Sequence, residues 1–362
     1  MKLIIAAGGT GGHLFPGIAI AKALKKRSAE HQVSFIGLDR ELEKDILKRE
    51  GFSHQALEIG RIKGEGLKQR FTTFMSLPKA YRQAAALLEE HQPDVVLGIG
   101  GYSSGPVILA AMMKRIPRAI LEPNAIPGFT NRMLGPFSNR IFVSFPEASR
   151  FFSKKKVKWT GTPVRHELTQ VGINRITALN QRSFTILVLG GSQGATAINK
   201  AVVALLPAIK ESGHMIRFIH QTGERDYEWV RSAYRTSGIA HEVTAFLRDM
   251  PVVYKQADLT ITRAGASTIA ELIETKTPAI LVPYPFAADD HQKANAMSLV
   301  RTGAAEMILN NELEKNLAER IFYYEGNRDA LEKMTQSLKQ LGKNPASEAI
   351  VEECLKLNVP NA

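Results

Sequence analysis

Two glycine-rich turns, one in each half of the chain, restrict what it can fold into. Leu3-Ile4-Ile5-Ala6-Ala7 runs straight into Gly8-Gly9-Thr10-Gly11-Gly12-His13, and Phe184-Thr185-Ile186-Leu187-Val188-Leu189 runs straight into Gly190-Gly191-Ser192-Gln193-Gly194-Ala195. Each stretch reads as a buried strand, a tight turn and a helix, the helices expected over residues 18–26 and 197–209. Glycine lets the backbone approach a ligand closely, and the helix N-terminus behind it offers unpaired N–H groups and a positive dipole end to an anion. Many strand-to-helix turns need glycine for geometry alone, so one such loop says little. Two of them, 182 residues apart, predict two doubly wound Rossmann-like domains facing a shared cleft.

The chain of 362 residues is long for one core and comfortable for two, and 44% hydrophobic with 23% charged residues is an ordinary globular balance. One cysteine, Cys354, excludes an internal disulfide framework and a cysteine metal cage and fits a reducing compartment. Met1-Lys2 leads directly into the first strand, so no secretory signal is expected. The longest apolar stretches, such as Val107 to Met113, fall far short of the ~20 residues that span a bilayer. Charge is uneven: residues 1–165 hold 26 Lys and Arg against 13 Asp and Glu, while the remainder holds 21 against 22. A basic excess confined to one half points to an anionic partner there, with nucleic acid, phospholipid headgroups and an anionic substrate all open on charge alone.

Strands are expected near 2–7, 32–37, 54–59, 94–99, 117–121, 140–143 and 157–160, then near 184–189, 214–220, 241–245, 258–262, 279–282 and 304–308, with helical periodicity between them. Alternating strand and helix imply parallel sheets covered on both faces. The boundary is expected at Gly161-Thr162-Pro163-Val164-Arg165, giving one domain over 1–163 and a second over 164–344. A capped helix from Glu348 to Leu357, after Asn344-Pro345-Ala346-Ser347, closes the chain and is placed to pack back on the first domain.

Further segments carry a family pattern. In chain order they are Gly8 to Gly17, Gly100-Gly101-Tyr102-Ser103-Ser104-Gly105-Pro106, Glu122-Pro123-Asn124-Ala125-Ile126-Pro127-Gly128, Thr162-Pro163-Val164-Arg165, Gly190 to Gly194, Arg263-Ala264-Gly265-Ala266 through Glu271, and Asp289-Asp290-His291-Gln292 through Asn295. Any one alone would be weak; the ordered set, from residue 8 to about 296, is specific. On these segments the chain resembles the MurG family, bacterial transferases that add N-acetylglucosamine to lipid I in peptidoglycan synthesis. The resemblance implies a GT-B glycosyltransferase architecture of two Rossmann-like domains, the first (1–163) on the acceptor and membrane side and the second (164–344) for the UDP-sugar donor. It also implies inverting transfer from UDP-N-acetylglucosamine to the 4-hydroxyl of the muramyl sugar, and a peripheral enzyme on the cytoplasmic face of the membrane.

That reaction must stabilise a departing diphosphate and remove a proton from the acceptor hydroxyl. The second glycine loop, with Ser192, Gln193, Gly194 and the helix behind it, suits the first task without a metal or any other cofactor. The resemblance places Thr10, Gly11, Gly12, Asn124, Arg165, Leu247, Ala266, Ser267, Thr268, Ile269, Ala270, Glu271 and Gln292 at the donor as well. Glu271 suits the two ribose hydroxyls, as acidic residues do in dinucleotide folds; its plainer reading is a Glu favoured by the helix dipole. His13, where the first loop meets its helix, is the candidate base, because the dipole favours neutral imidazole; its plainer reading is a turn residue holding the loop shape. By the resemblance Tyr102 and Asn124 face the acceptor or donor sugar, and by the plainer reading Asn124 steadies a turn. Asp289 and Asp290, without further ligands, read as solvated carboxylates and not as a metal site.

Residues 61–79 mix Arg61, Lys63, Lys68, Arg70 and Lys79 with Leu67, Phe71, Phe74 and Met75, which share a face if helical. Such a face suits an anionic membrane surface or the domain's own sheet. Competing readings are another two-domain UDP-sugar enzyme, such as a UDP-N-acetylglucosamine epimerase, and, from a different class, a non-catalytic basic nucleic-acid-binding protein. The basic, apolar first half favours a lipid-diphosphate acceptor over the epimerase, and no basic-aromatic motif supports nucleic acid as a partner. A dehydrogenase fits less well, since neither loop forms a GxGxxG fingerprint with its distal acid.

Overall fold

A computed structural model describes residues 1–8, 11–58, 67–101, 103–174, 183–191, 194–342 and 345–358; the side chains at 11, 42, 67–76, 173 and 174 lie outside that description. The chain divides into two compact units, Met1–Arg165 with Asn344–Ala362, and His166–Lys343.

In the first unit β1 (Lys2–Ala6), β2 (Gln32–Leu38), β3 (Ser53–Leu57), β4 (Val95–Gly98), β5 (Arg118–Glu122), β6 (Arg140–Val143) and β7 (Val157–Trp159) form a sheet ordered β3-β2-β1-β4-β5-β6-β7. Every pairing is parallel, with Ile4 opposite Ser34 on one side and Val96 on the other. A parallel sheet must be covered on both faces, which is why its central strands are continuous apolar runs. The period of two sends Leu3 and Ile5 to one face and Ile4 and Ala6 to the other. Leu3 and Ile5 pack with Leu14, Ile18, Ile350, Val351 and Cys354, and Ile4 and Ala6 pack with Ala84, Leu88, Val107 and Ile108. The edges are more polar: β3 is Ser-His-Gln-Ala-Leu and only its last residue is buried.

The second unit repeats the plan with β8 (Phe184–Leu189), β9 (Ile216–Gln221), β10 (Ala240–Thr244), β11 (Leu259–Thr262), β12 (Ala279–Leu281) and β13 (Glu306–Met307), ordered β10-β9-β8-β11-β12-β13. In both sheets the winding direction reverses beside the strand that feeds the glycine turn, between β1 and β4 and between β8 and β11. The crevice beyond the carboxyl ends of strands at such a switch point is where open α/β sheets bind ligands.

Each strand expected from the sequence is present, with ends shifted by no more than two residues. Two helix starts are corrected. The first helix spans Gly11–Arg27 and runs through Pro16 instead of starting at Ile18. Proline at that point frees only the Gly12 carbonyl, within the opening turns, so the helix forms around it. The last helix spans Ala346–Leu357 with Pro345 at its N-cap, so Ser347 lies inside the first turn and no side chain caps the end. Arg140 anchors this helix to β6 through Glu353 at 3.1 Å.

Candidate functional site

The glycine turn of the second unit leaves the carboxyl end of β8. Gly191 and Gly194 both adopt φ of +77°, and Gly194 N–H donates to the Gly191 carbonyl at 3.0 Å. A Cβ on Gly194 would stand 2.1 Å from the Thr222 carbonyl oxygen, so only glycine fits where the turn presses on the end of β9. The following helix, Thr196–Ser212, has Ala195 at its N-cap and no side-chain cap. Its first N–H groups are therefore directed to whatever lies above the turn, the arrangement that binds phosphate.

Across the switch point the end of β11 leads through Arg263-Ala264-Gly265 into the helix Ala266–Thr275, which also lacks a side-chain cap. Within it the expected donor residues divide by orientation. Ile269 is fully buried and its N–H is bonded to the Gly265 carbonyl, and Ala266 and Ala270 are also buried. Ser267, Thr268 and Glu271 are half-buried on the opposite side. Glu271 Oε2 accepts the hydroxyl of fully buried Tyr254 at 3.0 Å, which fixes the carboxylate's direction. Arg263 Nη1 donates to the carbonyls of Val282 and Pro283 and to Asn310 Oδ1, tying the ends of β11 and β12 together. Leu247 is buried between β10 and the helix Met250–Gln256, beside exposed Phe246. Gln292 stands in the first turn of the helix His291–Val300 and accepts Tyr284 N–H on Oε1 at 3.0 Å, which leaves its amide NH2 to donate. Before it Asp289 and Asp290, both exposed, take left-handed φ of +52°, a strained turn of the kind found at ligand sites.

In the first unit His13 is the third residue of the helix Gly11–Arg27 and lies against the Gly100-Gly101 turn that follows β4. A Cβ on Gly100 would approach His13 Nε2 to 3.3 Å, and one on Gly101 would meet the Gly8 carbonyl oxygen at 2.4 Å. The two glycine segments are thus packed together at the β1/β4 switch point with the imidazole between them. Burial pushes the His13 pKa below its ordinary 6.5, and a hydrogen bond to the Gly8 backbone opposes that in part. Donation to a carbonyl fixes one ring nitrogen as N–H, and the other carries the lone pair of the neutral form.

Asn124 belongs to a loop organised by Glu122, at the end of β5. That buried carboxylate accepts Asn124 N–H at 2.9 Å, Asn124 Nδ2 at 3.2 Å, Gly128 N–H at 3.1 Å and Asn131 Nδ2 at 2.8 Å. Burial raises the Glu122 pKa while these donors oppose it. Asn131 Nδ2 also comes within 3.8 Å of a Cβ placed on Gly100, so His13 and Asn124 share one edge of the sheet through Asn131 and Glu122. Arg165, where the chain leaves this unit, holds its guanidinium 5.2 Å from the Phe15 ring, on the helix of the first glycine loop. Gly11 and Gly12 open that helix.

Thr10, Tyr102, Ser192 and Gln193 lie outside the described residues, as do the side chains of Leu67, Phe71, Phe74 and Met75. Sequence reasoning missed Glu122, Asn131 and Tyr254. Glu122 opens the segment Glu122 to Gly128 but its carboxylate gave no signal; a charged residue closing an apolar strand (Ala119-Ile120-Leu121-Glu122) was the available one. Among the described residues no cluster of three or more His, Cys, Asp or Glu is placed to hold a metal ion. A surface depression of about 560 Å³ lined by Asp39, Lys44, Lys48, His54 and Glu58 contains none of the candidate residues.

Two doubly wound units with glycine loops at their switch points define a nucleotide-sugar glycosyltransferase fold. The comparisons agree: residues 3–143 match the N-terminal domain and residues 185–350 the C-terminal domain of glycosyltransferase family 28. The UDP-N-acetylglucosamine–N-acetylmuramyl-(pentapeptide) pyrophosphoryl-undecaprenol N-acetylglucosamine transferase of Syntrophus aciditrophicus is 42% identical over 360 residues, 99% of each chain. The crystal structure of Acinetobacter baumannii MurG superposes with a TM-score of 0.78 at 30% identity, covering 98% of this chain and 100% of that one. The chain belongs to this family of N-acetylglucosaminyltransferases. A Neisseria meningitidis UDP-GlcNAc 2-epimerase structure, with a TM-score of 0.67 at 16% identity over 98% of this chain and 100% of that one, shares the fold alone.

Proposed function

We infer that this chain transfers N-acetylglucosamine from UDP-N-acetylglucosamine to the 4-hydroxyl of the muramyl sugar of lipid I, the undecaprenyl-diphosphate-linked muramyl-pentapeptide, and so forms lipid II. The observation that carries the donor half is a glycine turn after β8 with an uncapped helix behind it, and, on the helix after the neighbouring strand β11, a carboxylate held by Tyr254. The unit His166–Lys343 takes the donor. The helix Thr196–Ser212 receives the diphosphate, Glu271 accepts from the ribose hydroxyls, the segment near Leu247 meets the uracil, and Gln292 donates to the sugar. The unit Met1–Arg165 takes the acceptor, with Asn124 at a sugar hydroxyl, while Arg165 at its end is a fixed cation for the donor's phosphate.

The chemistry is one displacement with inversion. The acceptor O4 forms a bond to the anomeric carbon as the bond from that carbon to the UDP oxygen breaks, its electron pair leaving with UDP. The O4 proton passes to the neutral imidazole of His13. Charge appears on the leaving diphosphate, where oriented N–H groups stabilise it without reorganising. The decisive experiment is transfer of labelled N-acetylglucosamine to a lipid I analogue in the presence of a chelator. Lipid-linked disaccharide is the expected product. Saturable UDP-N-acetylglucosamine binding without transfer, unrelieved by magnesium, would overturn the acceptor assignment; transfer restored only by magnesium would overturn the metal-free mechanism.

The lipid tail of the acceptor requires contact with a membrane, and we place the protein peripherally on its cytoplasmic face. Among the described residues no helix is long and apolar enough to cross a membrane. The described surface of the first unit offers an apolar patch instead. Met113 closes the helix Ser104–Met113 at 65% exposure; Phe129 and Met133, on the adjoining helix Phe129–Leu134, are 76% and 56% exposed. Phe137 continues the patch, and Arg118 and Lys156 donate to the carbonyls of Phe137 and Pro136 beside it. Apolar side chains rimmed by cations suit an anionic headgroup layer. Phe129→Ser with Met133→Ser weakens binding to phosphatidylglycerol vesicles about tenfold or more, and 0.5 M salt weakens wild-type binding, each measured by co-sedimentation. Unchanged binding by the double variant removes this patch from the membrane contact.

A further inference from the structure

Beneath the second glycine turn lies a buried polar chain that none of the roles above uses. His220, fully buried on β9, has Nε2 3.0 Å from Asn199 Oδ1 and Nδ1 3.1 Å from the Tyr234 hydroxyl. Asn199, also fully buried, is on the first turns of the helix Thr196–Ser212; its Nδ2 donates at 2.9 Å to the Thr222 carbonyl and at 2.9 Å to Asp226 Oδ2. Because those partners take only donors, the Asn199 oxygen faces His220, and His220 must carry its proton on Nε2 and accept from Tyr234. Burial depresses the His220 pKa to about 3, so the ring stays neutral in this direction.

The chain ends at the loop itself. Asp226 Oδ2 accepts the Thr196 hydroxyl at 2.6 Å, Thr196 being the first residue of the phosphate-side helix. Arg225 donates to the same hydroxyl and lies 3.5 Å from Asp226 Oδ1, so a cation stands beside the carboxylate at the helix N-terminus. The Thr222 carbonyl that Asn199 grips is the atom on which Gly194 rests. At the other end of the turn, Gln221 Nε2 donates to the Gly191 carbonyl at 2.9 Å. The two glycines that shape the turn are therefore each fixed by a buried amide, one directly and one through Thr222.

We propose that Asn199, Gln221 and Thr196, oriented by His220 and Asp226, form a clamp that presets Gly191, Gly194 and the start of the helix behind them for a nucleoside diphosphate. The clamp rests on the reading of this turn as the donor-diphosphate site. Its residues are positioning residues: they hold N–H directions that would otherwise have to be ordered on binding, so their loss appears in diphosphate affinity. Buried networks of this kind also support the fold, and the experiment must separate the two effects.

Thr196→Val keeps the shape and removes the hydroxyl, Thr196→Ser keeps the hydroxyl, and Asn199→Leu removes the amide. UDP is the probe, by calorimetry, with thermal melting on the same samples and steady-state rates for both substrates. Expected are a UDP Kd raised about tenfold in Thr196→Val and more in Asn199→Leu, a Kd near wild type in Thr196→Ser, and a raised KM for the UDP-sugar with the acceptor KM unmoved. Should Asn199→Leu not fold, the half-buried Thr196 pair still decides. Wild-type UDP affinity in folded Thr196→Val overturns the clamp while leaving the donor reading intact. Failure of the wild-type protein to bind UDP overturns the donor reading and the clamp with it.

Discussion

Glu271→Ala raises the KM for UDP-N-acetylglucosamine by about a hundredfold and leaves the acceptor KM near wild type. A carboxylate accepting from two ribose hydroxyls makes charge-assisted bonds of about 1.5–3 kcal/mol each, and 1.4 kcal/mol is a factor of ten. The structure adds a second term, because Tyr254 already donates to Glu271 Oε2 and pins the carboxylate. Tyr254→Phe therefore shows the same direction with a smaller size, about three- to tenfold, through a loosened carboxylate. Initial rates over a donor titration check both, with thermal melting to confirm folding. An unchanged donor KM and kcat in Glu271→Ala removes the residue from the site and returns it to the helix-dipole role. The second turn is a poor place for that role: Glu271 is the sixth residue of the helix Ala266–Thr275, and dipole effects fade within the first turn.

The fold was legible because its strands are parallel and covered on both faces. Such strands are short unbroken apolar runs, and Leu3 to Ala7 or Phe184 to Leu189 can be recognised without knowing their neighbours. Strand order was not legible. Nothing local to β1 says that β2 and β4 flank it, and the switch points follow from pairings between segments far apart in the chain. Helix starts failed where propensity misled: Pro16 and Ser347 both look like boundaries, and each lies inside a helix whose packed face decides the matter.

For the candidate site, glycine positions were readable and their supports were not. Gly194 and Gly191 announce a turn, but the residues that hold it, Asn199, Gln221 and Asp226, are ordinary polar residues in helix and strand patterns. Their significance appears only when Asn199 Nδ2 is seen bonded to the Thr222 carbonyl. Glu122 makes the same point in the first unit. As sequence it is a charge at the end of a strand; in the structure it gathers four donors and sets the course of the backbone around Asn124. Ile269 and Ala270 show the converse, since the contiguous segment expected at the donor includes side chains that face the core.

His13 decides between catalysis and loop shape, and two substitutions separate them. His13→Ala lowers kcat by about 10²–10⁴, the usual range for loss of a general base. Loss of a turn-holding hydrogen bond could also lower kcat, so His13→Gln is the informative partner: its amide can still donate to the Gly8 backbone but cannot take a proton. If His13 is the base, His13→Gln is as slow as His13→Ala while melting nearer to wild type; if it only shapes the loop, His13→Gln recovers most of kcat. The pH profile supplies an independent sign. A depressed imidazole pKa keeps the accepting form populated at neutral pH and loses it only as pH falls through that lowered value. The acid limb of kcat therefore lies below pH 6.5 and disappears in both variants. An acid limb from Glu122, whose pKa burial raises, is told apart because it would persist in both His13 variants. An acid limb that persists in His13→Gln assigns the proton to another group and leaves His13 as the residue that packs the Gly8 and Gly100 turns together.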